Sequence, residues 1–183
     1  RQLALAPVGE AGQRRLGKAR VVVVGAGGLG SNSADLLVRM GVGKVVVVDG
    51  DRVELSNLHR VRVYGDLDVG RSKVDLLQHR LGYSIEGADL ETRKVRLDGD
   101  NALDLLEGAD VVVDGLDNME TRYVVNDACL ELGIPWVYGG VVATGGLVAP
   151  FPAGGPCFRC LFEDPPEPGA LPTTETPGIH PAL

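Results

Sequence analysis

The run Arg20-Val21-Val22-Val23-Val24 ends directly in Gly25-Ala26-Gly27-Gly28-Leu29-Gly30, and this junction constrains the fold more than any other feature of the chain. Consecutive β-branched residues read as a strand buried on both faces, the pattern of a parallel sheet. The glycines permit a tight turn and close backbone approach. Residues 29–40 then carry apolar side chains at helical spacing, with Leu29, Leu36, Leu37 and Met40 as the expected buried stripe, and Gly41 and Gly43 end the helix. A strand, a glycine turn and a helix start in this order offer free backbone N–H groups to a phosphate. Asp49 lies about 20 residues further on, after the second buried run 44–48, where an acidic group commonly grips a ribose hydroxyl. The combination predicts a nucleotide site without saying which nucleotide.

The rest of the chain alternates in the same way. Helices are expected over 8–19, 71–81, 101–106 and 121–132, and strands over 90–97, 111–113, 135–142 and 145–151. Such alternation predicts an α/β, Rossmann-like, mostly parallel sheet with helices on both faces, an N-terminal helix and a loop-rich C-terminal segment. Residues 49–70 are long, polar and irregular, which in a compact domain often marks function. The expected division is a nucleotide-binding domain at 1–162 followed by a Pro- and Thr-rich flexible tail or crossover loop at 163–183.

Composition narrows the function classes. The 183 residues include 18 basic and 25 acidic side chains, a net charge of −7, which disfavours a nucleic-acid partner because that binding is mostly cationic neutralisation. No apolar run approaches the ~20 residues that span a bilayer. With three cysteines, two of them in Cys157-Phe158-Arg159-Cys160, a reducing, cytoplasmic setting and a metal or redox pair are expected before a disulfide framework.

Two further stretches bear on the nucleotide. Ser56-Asn57-Leu58-His59-Arg60 and Arg71-Ser72-Lys73 place Arg60 and Lys73 where both can reach the glycine loop. A dinucleotide needs little beyond the loop for its pyrophosphate, whereas cleaving a triphosphate between α and β needs cations on the leaving group. On spacing alone the two cations read equally as solvated surface charge, and His59 as a surface histidine. Asp114-Gly115-Leu116-Asp117-Asn118 follows the buried run 111–113, at the carboxyl edge of the sheet where ligands bind. A carboxylate there suits magnesium, which takes one or two carboxylates plus phosphates and water. Helix capping is the expected task of Asp114, and magnesium that of Asp117.

Taken together, these residues resemble the adenylating ThiF/MoeB/HesA family, relatives of the ubiquitin-activating enzyme. The matching stretches are Arg1-Gln2, residues 9–13, 25–31, 41–43, 49–60, 70–74 and 114–118, then Arg122, residues 126–129, 135–140 and 155–162. The likeness runs over nearly the whole chain, and its Ser-Asn-Leu-x-Arg and Asp-x-x-Asp-Asn elements are more specific than the glycine loop.

The resemblance implies an adenylyltransferase that uses ATP and magnesium to adenylate the C-terminal glycine of a ubiquitin-like sulfur carrier ending in Gly-Gly. Thiocarboxylate formation follows, with help from a sulfurtransferase. It also implies cofactor contacts from Gly25, Gly27, Gly28 and Gly30, from Asp49 and Asp51, and from Ser56, Asn57, Leu58, His59 and Arg60. Lys73, Asp117 and Asn118 complete that set, with magnesium on Asp117. Arg1 would reach as a finger into the site of the other subunit of a homodimer.

Cys157 and Cys160 match half of the family's four-cysteine zinc site, so zinc is expected only if a second pair exists beyond Leu183; otherwise they are two reduced thiols. His180 is a poor third ligand. Thr174 stands where some members carry a reactive cysteine, and Cys129 is expected to be a buried small hydrophobe. The competing readings are an NAD-dependent oxidoreductase, which leaves Arg60, Lys73 and Asp117 idle, a non-catalytic carrier-binding relative, and a related tRNA-adenosine dehydratase.

Overall fold

The computed structural model describes residues 2–82 and 89–163. Strands β1 (Arg20–Val24), β2 (Lys44–Val48), β3 (Leu90–Arg93), β4 (Val111–Asp114), β5 (Trp136–Val142) and β6 (Gly145–Phe151) form one sheet in the order β3-β2-β1-β4-β5-β6. All neighbours pair in parallel except β5 and β6, an antiparallel hairpin at one edge. Helices α1 (Gly9–Leu16), α2 (Gly28–Arg39), α3 (Lys73–Leu81), α4 (Ala102–Leu106), α5 (Met119–Leu132) and α6 (Phe158–Leu161) surround it. The expected Rossmann-like α/β architecture is present. Among the described residues no helix is long and apolar enough to cross a membrane.

The valine runs explain the two-sided core. Side chains alternate across a strand, so Val21, Val23, Val45 and Val47 pack with Ala34 and Val38 of α2 and Val74, Leu76, Leu77 and Leu81 of α3. Val22, Val24, Val46 and Val48 face the other way, onto Leu106 of α4, Tyr123, Val125 and Cys129 of α5, and Phe158. Fully burying one such side chain contributes about 1.5–3 kcal/mol, and both faces of every central strand are used.

The expected α2 stripe is wrong in part. Gly30, Ser31, Ala34 and Val38 are buried, Leu29 and Leu37 are half-buried, and Leu36 and Met40 are 59% and 42% exposed. The cause is the glycine loop. It brings the start of α2 so close to the sheet that Gly30, Ser31 and Ala34 meet it, with Val38 one turn on, and Leu36 and Met40 turn outward. Two differences are smaller: β3 stops at Arg93 instead of residue 97, and the 49–70 segment contains two short 3-10 turns, Leu55–Asn57 and Asp66–Asp68.

That close approach is a three-glycine contact. A Cβ on Gly30 would lie 1.9 Å from the Gly25 carbonyl oxygen, one on Gly25 would lie 2.5 Å from the Gly115 oxygen, and one on Gly115 would lie 2.6 Å from the Gly30 Cα. Gly25 also adopts φ +100°, a conformation that strains any residue with a side chain. Gly27 differs, with open space where its Cβ would stand. Gly30→Ala is therefore expected to lower unfolding stability by about 3 kcal/mol or to prevent folding. Gly27→Ala should stay within about 1 kcal/mol of wild type. Urea denaturation followed by circular dichroism checks both, and equal stability of the two variants would refute the contact.

Candidate nucleotide site

Register places the site. Val24 pairs with Val48 on one side and with Asp114 on the other, so Gly25, Asp49 and Gly115 emerge side by side at the carboxyl edge. Backbone bonds seal the row: Gly25 N–H donates to the Val48 carbonyl and Gly115 N–H to the Val24 carbonyl, each at 2.8 Å. From β1 the chain builds outward through β2 and β3, then returns to β4 on β1's other side. The crevice at this switch point is where open α/β sheets take ligands.

The glycine loop divides into two kinds of position. Gly25 and Gly30 are buried and committed to backbone packing, whereas Gly27 and Gly28 are half-buried at the start of α2. Asp49 is pinned to this loop. Its carboxylate accepts from Ala26 N–H and from Asp51 N–H, both at 2.6 Å. The Asp51 carboxylate in turn receives Lys73 Nζ at 3.3 Å and Arg96 Nη2 at 3.2 Å. Burial works against that charge, but the two cations outweigh it and hold the Asp51 carboxyl below its ordinary value.

The irregular 49–70 segment delivers its cation to the loop. Arg60 lies along Gly28: a Cβ there would stand 3.7 Å from both Cγ and Cδ of Arg60. Arg60 Nη1 also donates to the Ser56 carbonyl at 2.9 Å, and His59 Nδ1 lies 3.0 Å from the same oxygen. Asn57 Oδ1 accepts from Glu54 N–H at 3.3 Å, Ser56 Oγ donates to Glu54 at 3.2 Å, and Leu58 packs on the α2–α3 core. Thus Asn57 and Ser56 build the turn while Arg60 covers the loop.

Asp68 anchors the far end of the segment. Its buried carboxylate accepts from Gly65 N–H at 2.8 Å and pairs with Arg80 at 2.7 Å. Burial raises its pKa, but these partners and Arg71 bring it below the ordinary value.

Two residues of the site had no visible role in the sequence. The Tyr64 hydroxyl is buried within hydrogen-bonding reach of the Ala26 carbonyl (2.9 Å) and the Lys73 carbonyl (3.3 Å), joining glycine loop to α3. Burial, with Asp49 nearby, raises its pKa strongly, so it remains a neutral donor. A lone tyrosine in a polar stretch carries no periodic signal, and only the contact reveals it.

The other is Arg122, named by the resemblance without a task. Its Nε donates to Asp114 at 2.8 Å, its Nη2 donates to the Leu116 carbonyl at 2.6 Å and the Gly139 carbonyl at 3.1 Å, and its guanidinium lies over the Tyr138 ring at 4.9 Å.

This corrects the expectation that Asp114 caps the following helix. Asn118 is the cap of α5, accepting from Thr121 N–H at 2.9 Å. Asp114 is 3% exposed and tied to Arg122, Leu116 N–H and Gly139 N–H. The exchange follows from depth: a cap must sit at the solvent-facing helix end, and Asp114 is the last residue of a central strand. Burial raises the Asp114 pKa, with Arg122 pulling against it. Asp117, by contrast, is exposed beside the crevice, 3.4 Å from Asn118 Nδ2. Such an accessible carboxylate suits a magnesium ion whose other ligands come from phosphate and water.

Cys157 and Cys160 sit apart from the crevice, against the second half of α5. Asn126, fully buried, accepts from Phe158 N–H at 2.9 Å, and Arg159 pairs with Asp127 at 2.7 Å. The two sulfurs are 3.9 Å apart, close to the ~3.8 Å that two ~2.3 Å zinc–sulfur bonds at a tetrahedral angle require. They fit two corners of such a site. Among the described residues no group of three or more His, Cys, Asp and Glu could hold a metal ion. Slight burial opposes the Cys157 thiolate, but N–H groups of Arg159 and Cys160 favour it and lower its pKa. Burial pushes the Cys129 thiol up to about 12, so it is an inert core residue. Arg1, Thr174, His180 and nearly all of the expected 163–183 tail lie outside the described residues.

The chain is similar to known proteins over nearly its whole length. Residues 1–182 match the ThiF family. A sulfur carrier protein adenylyltransferase of Thermus thermophilus is 48% identical over 100% of this chain and 70% of its own length. The sulfur carrier protein ThiS adenylyltransferase of Bacillus subtilis is 41% identical, over 98% of this chain and 54% of its own. Among solved structures, Escherichia coli MccB with ATP superposes with a TM-score of 0.74 at 26% identity, over 81% of this chain and 45% of that one. The E. coli tRNA N6-threonylcarbamoyladenosine dehydratase TcdA with ATP gives 0.67 at 27%, over 75% and 55%. The chain thus spans from 45% to 70% of the length of these relatives.

The Asp114–Arg122 pair is a fully bonded buried ion pair, and removing one partner strands the other. Arg122→Met is expected to destabilise by about 3 kcal/mol, while Asp114→Asn/Arg122→Met should recover part of the loss. Thermal denaturation of both tests this; a neutral single variant would show that the pair holds nothing.

Proposed function

The chain belongs to the ThiF family, and from that membership and the crevice we propose that it adenylates the C-terminal carboxylate of a ubiquitin-like sulfur carrier with ATP. The observation that carries the reading is Arg60 lying along Gly28 while Lys73 reaches the same rim through Asp51. A pyrophosphate on the helix N-terminus needs neither cation; a triphosphate losing its β and γ groups needs both.

In the proposed reaction the adenine nucleotide lies across the switch point, with its ribose at Asp49 and its α-phosphate at Gly27 and Gly28. One oxygen of the carrier's terminal carboxylate attacks the α-phosphorus. The bond from that phosphorus to the bridging oxygen breaks, and pyrophosphate leaves with both electrons. Arg60 and Lys73 hold the developing charge, with Asn57 on the phosphates and Asn118 flanking the nucleotide. Magnesium at Asp117 would neutralise phosphate charge. The protein does little covalent work; it orients the groups and excludes alternatives. A Gly-Gly carrier tail suits a narrow approach because it brings no side chains.

Homodimerisation, with Arg1 entering the partner's site, a sulfurtransferase that replaces AMP by sulfur, and zinc completed by a second cysteine pair belong to the same proposal. The names of the relatives support the carrier. The NAD reading leaves Arg60, Lys73 and Asp117 without tasks.

Carrier-dependent ATP–pyrophosphate exchange is the direct test. Asp117→Ala should lose at least about 100-fold in exchange, and full retention would remove Asp117 from the chemistry. Calorimetric binding of NAD, with none of ATP–magnesium, would reject the reading outright. Deletion of Arg1 is expected to slow exchange by about 10-fold or more at unchanged dimer mass in light scattering; unaltered turnover would reject the finger.

A further inference from the structure

We propose that Arg96 is a positioning residue of the nucleotide site, taking over the Asp51 carboxylate when Lys73 leaves it for the triphosphate. The inference rests on the ATP reading above and adds a residue to it. Lys73 Nζ sits 3.3 Å from one oxygen of Asp51 and Arg96 Nη2 sits 3.2 Å from the other. Lys73 carries one positive charge, and sharing it with the phosphates leaves Asp51 less neutralised. Once that charge turns to the phosphates, Asp51 without Arg96 would be a poorly compensated negative charge beside a polyanionic ligand, and like charges at short range oppose binding. A second cation already on Asp51 removes that conflict.

The geometry around Arg96 is built for this position. Gly50 approaches its backbone so closely that a Cβ would stand 2.9 Å from Arg96 N, and Asn101 Nδ2 donates to the Arg96 carbonyl at 3.0 Å. The Arg96 backbone is thus packed against the turn that carries Asp49 and Asp51 and bonded to Asn101. The side chain is 80% exposed and the Asp51 side chain 50%, so the guanidinium can follow the carboxylate without losing solvent. The other cations at this end of β3 are engaged elsewhere, Arg93 with Glu91 and Lys94 with Asp75 at 3.0 Å. The Asp49 carboxylate is held by backbone N–H groups and does not compete for Arg96. Among the described residues, Asp51 pairs with Lys73 and Arg96.

The test is a double-mutant cycle read by calorimetric titration with ATP–magnesium and with AMP, which lacks the β and γ phosphates. Arg96→Ala should weaken ATP binding about threefold to fivefold, the scale of an exposed charge pair, and leave AMP binding within about twofold. Arg96→Lys should retain most of the ATP affinity. In an Asp51→Asn background, Arg96→Ala should change nothing, because there is no carboxylate to take over. Equal loss for AMP, equal loss in the Asp51→Asn background, or no loss at all would each overturn the proposal. Wild-type protein that fails to bind ATP would reject the ATP reading and this inference together, whereas ATP binding without coupling between Arg96 and Asp51 rejects this inference alone.

Discussion

The mutual contact of Gly25, Gly30 and Gly115 is the constraint on which the rest of the molecule depends. It joins the end of β1, the start of α2 and the end of β4 at backbone-to-backbone distance, closer than any side chain allows. Because α2 is pulled onto the sheet there, its first turn is held next to the crevice, and its exposed N–H groups face the place a phosphate would take. Because β4 is drawn to the same point, the Asp114–Asn118 turn stands over the opposite wall. The glycine loop is as much a packing device as a binding one: Gly25 and Gly30 serve the fold, and Gly27 and Gly28 remain for the ligand.

Around that contact the crevice is organised by polar groups that are nearly all satisfied. Asp114 and Arg122 are buried at the end of a central strand, where an isolated charge would be prohibitive. Arg122 meets one carboxylate, two carbonyls and an aromatic face, so the desolvation cost is offset by directed bonds. The same logic holds the irregular 49–70 segment. Asp68 ties its end to Arg80, and Tyr64 ties its middle to Ala26 and Lys73. A segment without regular structure thereby presents Arg60 at a defined place. The exposed groups, Asp117, Asp51 and Arg96, are left to respond to a ligand.

Much of the fold was legible in the chain because its signals are local. Consecutive valines at 21–24 and 45–48 are buried strands by periodicity alone, and β1, β2 and β6 begin and end where the pattern predicts. The glycine loop, Asp49 and Arg60 converge as expected, since each follows a strand or turn whose position the pattern already implies. The failures share one origin. Leu36 and Met40, large and apolar, read as inside, yet the face α2 turns to the sheet carries Gly30, Ser31, Ala34 and Val38. Asp114 precedes α5 and reads as its cap, yet its depth gives it to Arg122 and leaves the cap to Asn118.

By itself the sequence determined the order of elements, the two-faced valine core and the identity of the groups at the strand ends, because hydrophobic period, turn chemistry and residue type act over a few neighbouring positions. Only the tertiary structure decided which glycines touch one another, which carboxylate is buried and which is open, and that Lys73 and Arg96 share Asp51. Those outcomes depend on the distance between segments far apart in the chain, and that distance is set when the sheet closes β4 against β1, an event no local pattern encodes.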